Sequence, residues 1–344
     1  MMVTHKHWSM VSVYSATHFL VDFSCAFIMF RTVIGGPDGF ICVLLYNFCA
    51  FAMQMPLGIL ADKWNRNYLF AAIGCGLVGA AFGLRRMPVL LAVIVGIGNG
   101  MFHVGGGIDV LNISEKKSGA LGLFVSPGAF GIYWGTILGK GDSLSGFPIL
   151  VALFFMVVLI IAMRRIQGKG YKHNAPFSLE GGACPPMVPI AVMLFLVVCL
   201  RSYVGLTLNL PWKGEGHWAV LLVSAVVLGK TAGGFVADRF GMDLTARVSL
   251  GIAAFLFFFS QIPAIGVLAL LLFNMTMPIT LWAMAKLFPG AKGFSFGLLT
   301  FGLFLGFLPV HFDVSIFSNT PWMLALAAVL SLLLLSKSLR KAKL

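Results

Sequence analysis

The sequence predicts an all-α integral membrane protein whose twelve transmembrane helices form two pseudo-symmetric six-helix halves. Three observations carry this. Hydrophobic residues make up 59% of the 344 positions and charged residues only 10%, with a mean hydropathy of +0.97. A soluble domain carries roughly 25% charged residues, so this chain lacks the polar surface that keeps a globule dissolved. Apolar runs of about 20 residues recur from end to end, each long enough to cross a bilayer as a helix. A short polar pattern between the second and third runs returns between the eighth and ninth, which points to two related halves. The runs are continuously apolar rather than alternating, which excludes a transmembrane β-barrel.

The first run, near 8–30, follows a short basic start and has no small-residue cleavage site, so it reads as a retained helix. Tyr14, His18 and Asp22 follow one another at i, i+4, i+8 along one of its faces. Runs two and three lie near 40–61 and 68–84; Asn47 and Gln54 share a face of run two and are expected to bond to a neighbouring helix. Run four, near 88–110, puts Asn99 and His103 on one face beside Gly96 and Gly100. Asp109 stands near its inner end, where capping or pairing with Lys116 or Lys117 is expected. Run five, near 118–138, is glycine-rich around Pro127, and Gly131, Gly135 and Gly139 have the small-xxx-small spacing that lets a helix approach closely. Run six lies near 147–163.

The stretch from Arg164 to Pro186 is the one long polar interruption, and it divides the chain into residues 1–163, a cytoplasmic linker 164–186, and residues 187–344. Runs seven to twelve lie near 187–207, 217–237, 244–261, 264–285, 293–312 and 321–336. Run seven carries Arg201, run eight Lys230, and run ten Asn274 with Pro278, which is expected to kink it. His311 and Asp313 end run eleven, where a solvated helix end is expected.

A net charge of +13 would suit a nucleic-acid partner, but the basic residues sit in short connections between apolar runs and so read as an orientation signal. With the N-terminus in the cytoplasm, 17 of the 24 lysines and arginines fall on the inner side, five on the outer side, and Arg201 and Lys230 within runs. Both termini are therefore expected in the cytoplasm. The Arg85-Arg86 pair is the one local exception. The six cysteines, Cys25, Cys42, Cys49, Cys75, Cys184 and Cys199, show no CxxC spacing and read as packing residues.

The repeated pattern has a physical logic. Gly58-Ile59-Leu60-Ala61-Asp62-Lys63-Trp64-Asn65-Arg66 is matched by Gly234-Phe235-Val236-Ala237-Asp238-Arg239-Phe240-Gly241. The glycine lets two helices approach, the carboxylate suits the N-terminal dipole of the next helix, and Asn65 suits a left-handed turn. These segments resemble the cytoplasmic signature loops of the major facilitator superfamily, through Gly58, Asp62, Lys63 and Arg66 and again through Gly234, Asp238 and Arg239. Asn65 stands where that signature has glycine, and Met242-Asp243 where it has arginines. The resemblance implies a secondary transporter whose two halves alternate access to a midplane site. Thr17-His18-Phe19-Leu20-Val21-Asp22 and Gly98-Asn99-Gly100-Met101-Phe102-His103-Val104 also resemble helices of the fosmidomycin-resistance-like branch, which implies proton-driven export of a drug or small organic solute. That branch has proline where this chain has Val104.

An ionisable group within a span costs at least about 2.5–3.5 kcal/mol on insertion scales, so each one is a candidate for function. Asp22 stands about 21 Å of helix rise from Trp8, and Arg201 the same rise from Met187, so the two are expected to face each other at one depth. A carboxylate beside a cation takes up or releases a proton as its surroundings dry or wet, and an imidazole such as His18 can share that proton. A fixed buried ion pair is the alternative reading. Tyr14, Asn99, His103 and Asn274 complete the polar set expected to serve coupling or substrate. The expected partners are a small-molecule substrate, protons and the bilayer, with no nucleic acid, no cofactor and a monomeric chain in a bacterial inner membrane.

Uptake of a small organic anion and metal-ion transport are the alternatives. His18, Asp22, Cys25, His103, Met275 and Met277 are the available ligands for a metal, though without tight spacing in sequence. Outside transport, a receptor or an intramembrane enzyme remains open. No phosphate-binding G-x-x-x-x-G-K-[ST], zinc-protease or nucleophile-elbow sequence occurs, so neither ATP hydrolysis nor enzymatic catalysis is expected.

Overall fold

A computed structural model describes residues 5–141, 143–180, 187–314 and 320–343. Cys184 and the end of the linker at Pro186 lie outside the described residues. Each predicted run is a helix, and among the described residues no strand occurs. The helices are α1 His5–Thr32, α2 Gly39–Trp64, α3 Asn67–Leu84, α4 Pro88–Ile113, α5 Gly119–Lys140 and α6 Gly146–Gly170. They continue with α7 Met187–Thr207, α8 Trp218–Phe240, α9 Met242–Phe257, α10 Pro263–Leu287, α11 Lys292–His311 and α12 Pro321–Lys341. Eleven are long and apolar enough to cross a membrane, and α9, with 16 residues, is the short one.

Three helices are interrupted. A π-helical turn at Phe48–Ala52 breaks α2, and α5 changes direction at Ser126 and Pro127. In α10 the regular helix stops at Asn274 and restarts at Met277. Pro278 is therefore not a kink inside a continuous helix. It occupies the first turn of the second segment, where its missing N–H leaves no hydrogen bond unmade.

The chain forms two compact units. The first comprises Met1–Glu115, Pro127–Phe177 and Gly290–Gly297, and the second Lys116–Ser126, Ser178–Pro289 and Leu298–Leu344. In the first unit α1 lies along the second segment of α5, where Gly131, Gly135 and Gly139 face the backbone of Phe19, Phe23 and Phe27. Any side chain at those glycines would meet main-chain carbonyls, so the spacing read from the sequence is a helix–helix seam. Phe27, Phe70, Phe102, Leu91 and Ile108 fill the unit's interior. In the second unit α9 packs on α12, α8 on α10, and α12 on α7, around Phe257 and Phe273.

At one end of the first unit, the α2–α3 connection, the end of α4, the linker after α6 and the start of α11 meet through Asn65, Asn112, Asn174 and Lys292. At the other end Arg31, closing α1, donates to the Gly141 carbonyl after α5, and Arg85 reaches Gly146. The connections that the charge sorting assigns to one side thus share one end of the unit.

Candidate functional site

Asp22 in the middle of α1 is buried, and every partner it has is polar. Its Oδ2 lies 3.2 Å from His18 Nε2, its Oδ1 lies 3.6 Å from His103 Nε2, and Asn99 Nδ2 donates to Oδ1 at 2.9 Å. The two imidazoles meet at 2.9 Å between their Nε2 atoms, with ring planes at 86°. His103 Nδ1 sits 2.8 Å from the Asn99 carbonyl. A carbonyl only accepts, so His103 Nδ1 carries a proton, and one of the two facing Nε2 atoms must donate to the other. Asn99 Oδ1 is buried without a partner, while its amide nitrogen also reaches Cys25 Sγ at 3.5 Å.

Gly128 closes this cluster from α5. A Cβ there would lie against Asp22 Oδ2 and His18 Nε2, so only glycine lets α5 cover the two side chains. The sequence showed Gly128 as one glycine among several; nothing in it singled out this contact.

Tyr14 shares the helix face of His18 and Asp22 but serves a second cluster. Its hydroxyl donates to Asp109 Oδ2 at 2.7 Å, Tyr171 donates to Oδ1 at 2.7 Å, and Asn67 Nδ2 to Oδ1 at 2.8 Å. Asp109 is 1% exposed and bonded to these groups, not to Lys116 or Lys117 as the sequence suggested. A buried carboxylate is tolerated when hydrogen bonds replace its water, and three do so here. Tyr171 belongs to the linker. Burial and the nearby Asp109 carboxylate push its phenol well above the usual tyrosine range, so it stays a donor. Asn174, three residues on, accepts from Asn67 and Asn112 through its side-chain oxygen, and its backbone N–H donates to Asn65 Oδ1 at 2.9 Å. The linker is thus tied to the signature loop by side chains that look, in sequence, like ordinary polar linker residues.

The signature loops hold helices far away in the chain. Asp62 accepts the backbone N–H groups of Gly293 at 2.8 Å and Phe294 at 2.9 Å, at the start of α11. Asp238 accepts those of Ser118 at 2.5 Å and Gly119 at 3.0 Å, at the start of α5. The dipole argument holds, but the helix served is not the next one in sequence. Gly58 and Gly293 meet backbone to backbone, as do Gly234 and Ser118-Gly119, which brings each carboxylate within reach. Asn65 adopts the left-handed conformation expected of it, at φ 55°. Lys63 lies over the Phe177 ring at 4.9 Å and Arg239 over Phe240 at 5.5 Å, while Arg66 stands at the N-cap of α3.

In the second unit Arg201 Nη2 donates to Thr276 Oγ1 at 2.9 Å and to Thr280 Oγ1 at 3.3 Å. Neither threonine stood out in the sequence. Asn274 Nδ2 donates to the Leu270 carbonyl at 2.8 Å, beside the break in α10. Asp22 and Arg201 therefore each have polar partners in their own unit: imidazoles and an amide for one, hydroxyls for the other. Met275 and Met277 flank Thr276 on α10, in the second unit.

No protein-family model matches the sequence, and no curated protein matches it. Solved structures do. The E. coli fucose:proton symporter superposes with a TM-score of 0.64 at 16% identity, covering 95% of this chain and 98% of the other. A bacterial homologue of the iron transporter ferroportin gives 0.65 at 13% identity, over 97% and 99% of the two chains. The human organic anion transporter MFSD10 gives 0.63 at 14% identity, over 94% and 98%. At such identities the likeness establishes the fold, and that fold is the one of major facilitator transporters.

Proposed function

We propose that this chain is a secondary transporter that moves a small organic solute by alternating access and couples the movement to protons. The reading rests chiefly on the His18–Asp22–His103 cluster. It concentrates a carboxylate and two imidazoles within two helices of membrane-spanning length, at the cost such burial carries in a bilayer. A proton joins the two Nε2 atoms at 2.9 Å. A further proton on Asp22 removes the carboxylate's charge; one that leaves both Nε2 atoms protonated sets two N–H groups against each other and forces them apart. Either outcome changes the contact of α1 with α4, and that is the link between protonation and conformation. The fold supports transport, and one neighbour of this fold is described as a proton symporter. Export is the direction we favour, on the resemblance of the α1 and α4 sequences alone. In this reading the chain is a monomer in a bacterial inner membrane, with cytoplasmic termini and six-helix halves that rock against each other.

The test is Asp22→Asn in proteoliposomes. With a solute identified by a thermal-shift screen, gradient-driven accumulation should vanish while exchange at zero gradient survives. Accumulation that persists in the variant would take the proton away from Asp22.

One observation favours a second reading, movement of a metal dication. His18, Asp22 and His103 offer three ligand atoms within 4.8 Å of one another. A histidine whose Nδ1–H is held by a carbonyl, as in His103, is also the form that ligates metals. Titration of the purified protein with Zn²⁺ decides between them: one tightly bound equivalent, lost in His103→Gln, selects the metal.

A further inference from the structure

Arg201 lies about 21 Å along α7 from Met187, well inside a helix of membrane-spanning length. A guanidinium cannot shed its charge there by giving up its proton, so something must compensate it. The acidic residues of its unit stand in connections or at helix ends: Glu180, Glu215, Asp238, Asp243 and Asp313. Asp238 is engaged by the start of α5, and Asp243 by Arg247 at 2.9 Å. Among the described residues no carboxylate pairs with Arg201.

Its two partners are neutral, and they have no proton to spare. Thr280 Oγ1 donates to the Thr276 carbonyl at 2.8 Å and Thr276 Oγ1 to the Phe273 carbonyl at 3.3 Å, so both hydroxyls face Arg201 as acceptors. Both threonines are buried, at 0% and 1% exposure, whereas Arg201 is partly exposed. Thr276 is fixed at the break of α10, where Pro278 restarts the helix. The cation is thus held on one nitrogen, Nη2, at the break of α10, and among the described residues of its unit its other N–H donors have no bond, which leaves them for a ligand. A planar fork of donors in a poorly hydrated place matches a carboxylate or a phosphate, which it can bind in bidentate fashion.

We propose that Arg201 is an anion-binding residue and that the transported solute carries a carboxylate or phosphate group. This rests on the transport reading and narrows it to a substrate class. Thr276 and Thr280 are positioning residues that aim the guanidinium.

The experiment uses the purified full-length protein in an uncharged detergent. Its thermal unfolding is followed against inorganic phosphate and a panel of mono-, di- and tricarboxylates, each carboxylate paired with its neutral amide. At least one anion should raise the midpoint by several degrees in a saturable way, and its amide should not. Arg201→Gln should abolish the shift. Arg201→Lys, which keeps the charge but not the fork, should weaken it at least tenfold, and it carries the comparison if the glutamine variant is not recovered. Anions that stabilise wild type and variants equally act as salts and overturn the proposal, as does the absence of any saturable shift. Stabilisation by phosphatidylglycerol alone, with no soluble anion effective, would make the ligand a lipid headgroup and overturn the solute assignment. Binding in detergent needs no gradient, so its failure is distinct from a failure of transport.

Discussion

Asp62 and Asp238 perform the same structural task in the two units: each carboxylate receives two successive backbone N–H groups at the start of a helix that is remote in sequence. The first of these bonds spans 231 positions and the second 120. A helix start has N–H groups with no intrahelical partner, and a carboxylate there satisfies them and meets the positive end of the dipole.

Losing such a cap costs about 1 kcal/mol, or roughly fivefold in a conformational equilibrium. Asp62→Asn and Asp238→Asn are therefore expected to alter turnover by about that factor or more, with solute affinity nearly unchanged. Steady-state transport alongside equilibrium binding tests this. Normal turnover with lost affinity would move the residue into the binding site.

Gly128→Ala places a methyl group against His18 and Asp22. Overpacking of this kind costs about 1–3 kcal/mol, so the unfolding midpoint should drop. If the proposed coupling through His18 and Asp22 holds, proton-driven accumulation should fall further than exchange does, because those two side chains are displaced. A variant with unaltered coupling would show that α5 is not needed to set the geometry of the pair.

Tyr171→Phe removes one of three donors to Asp109, a hydrogen bond to a buried charge worth about 1.5–3 kcal/mol. The linker should then release more often, and trypsin should cut at Lys169 and Lys172 roughly tenfold faster. The pH dependence has a definite sign. The folded phenol is raised above its unfolded value, so its stabilisation is fully present below about pH 10 and fades as the pH climbs beyond. Wild-type linker cleavage should accelerate only in that alkaline range, and the phenylalanine variant should lack the step.

The topology is tested by Lys169→Cys. With the linker in the cytoplasm, an impermeant thiol reagent should label it in inverted vesicles and not in intact cells. Labelling of intact cells would reverse the assigned orientation.

The sequence alone determined the fold class, the apolar runs that become helices and the two Gly-x-x-Ala-Asp segments. Those features are one-dimensional: the length of an apolar run, the distribution of lysine and arginine, and a repeated motif need no knowledge of what touches what. It also singled out the ionisable groups within the helices, because a charge within an apolar run is conspicuous. Only the tertiary structure decided their partners. Spacing put Tyr14 with Asp22, yet the tyrosine bonds to Asp109 across to α4. Equal rise along α1 and α7 suggested a pair of Asp22 with Arg201; the partners each has within its own unit, two imidazoles for Asp22 and two hydroxyls for Arg201, were not legible. Asp62 was read against its sequence neighbour and serves α11 instead. In each case the reason is the same. A helix fixes the order of its side chains along one axis, but which of them meet depends on the rotation and separation of neighbouring helices. Those are set by backbone contacts such as Gly58 on Gly293 and Gly128 over His18, which join residues far apart in the chain.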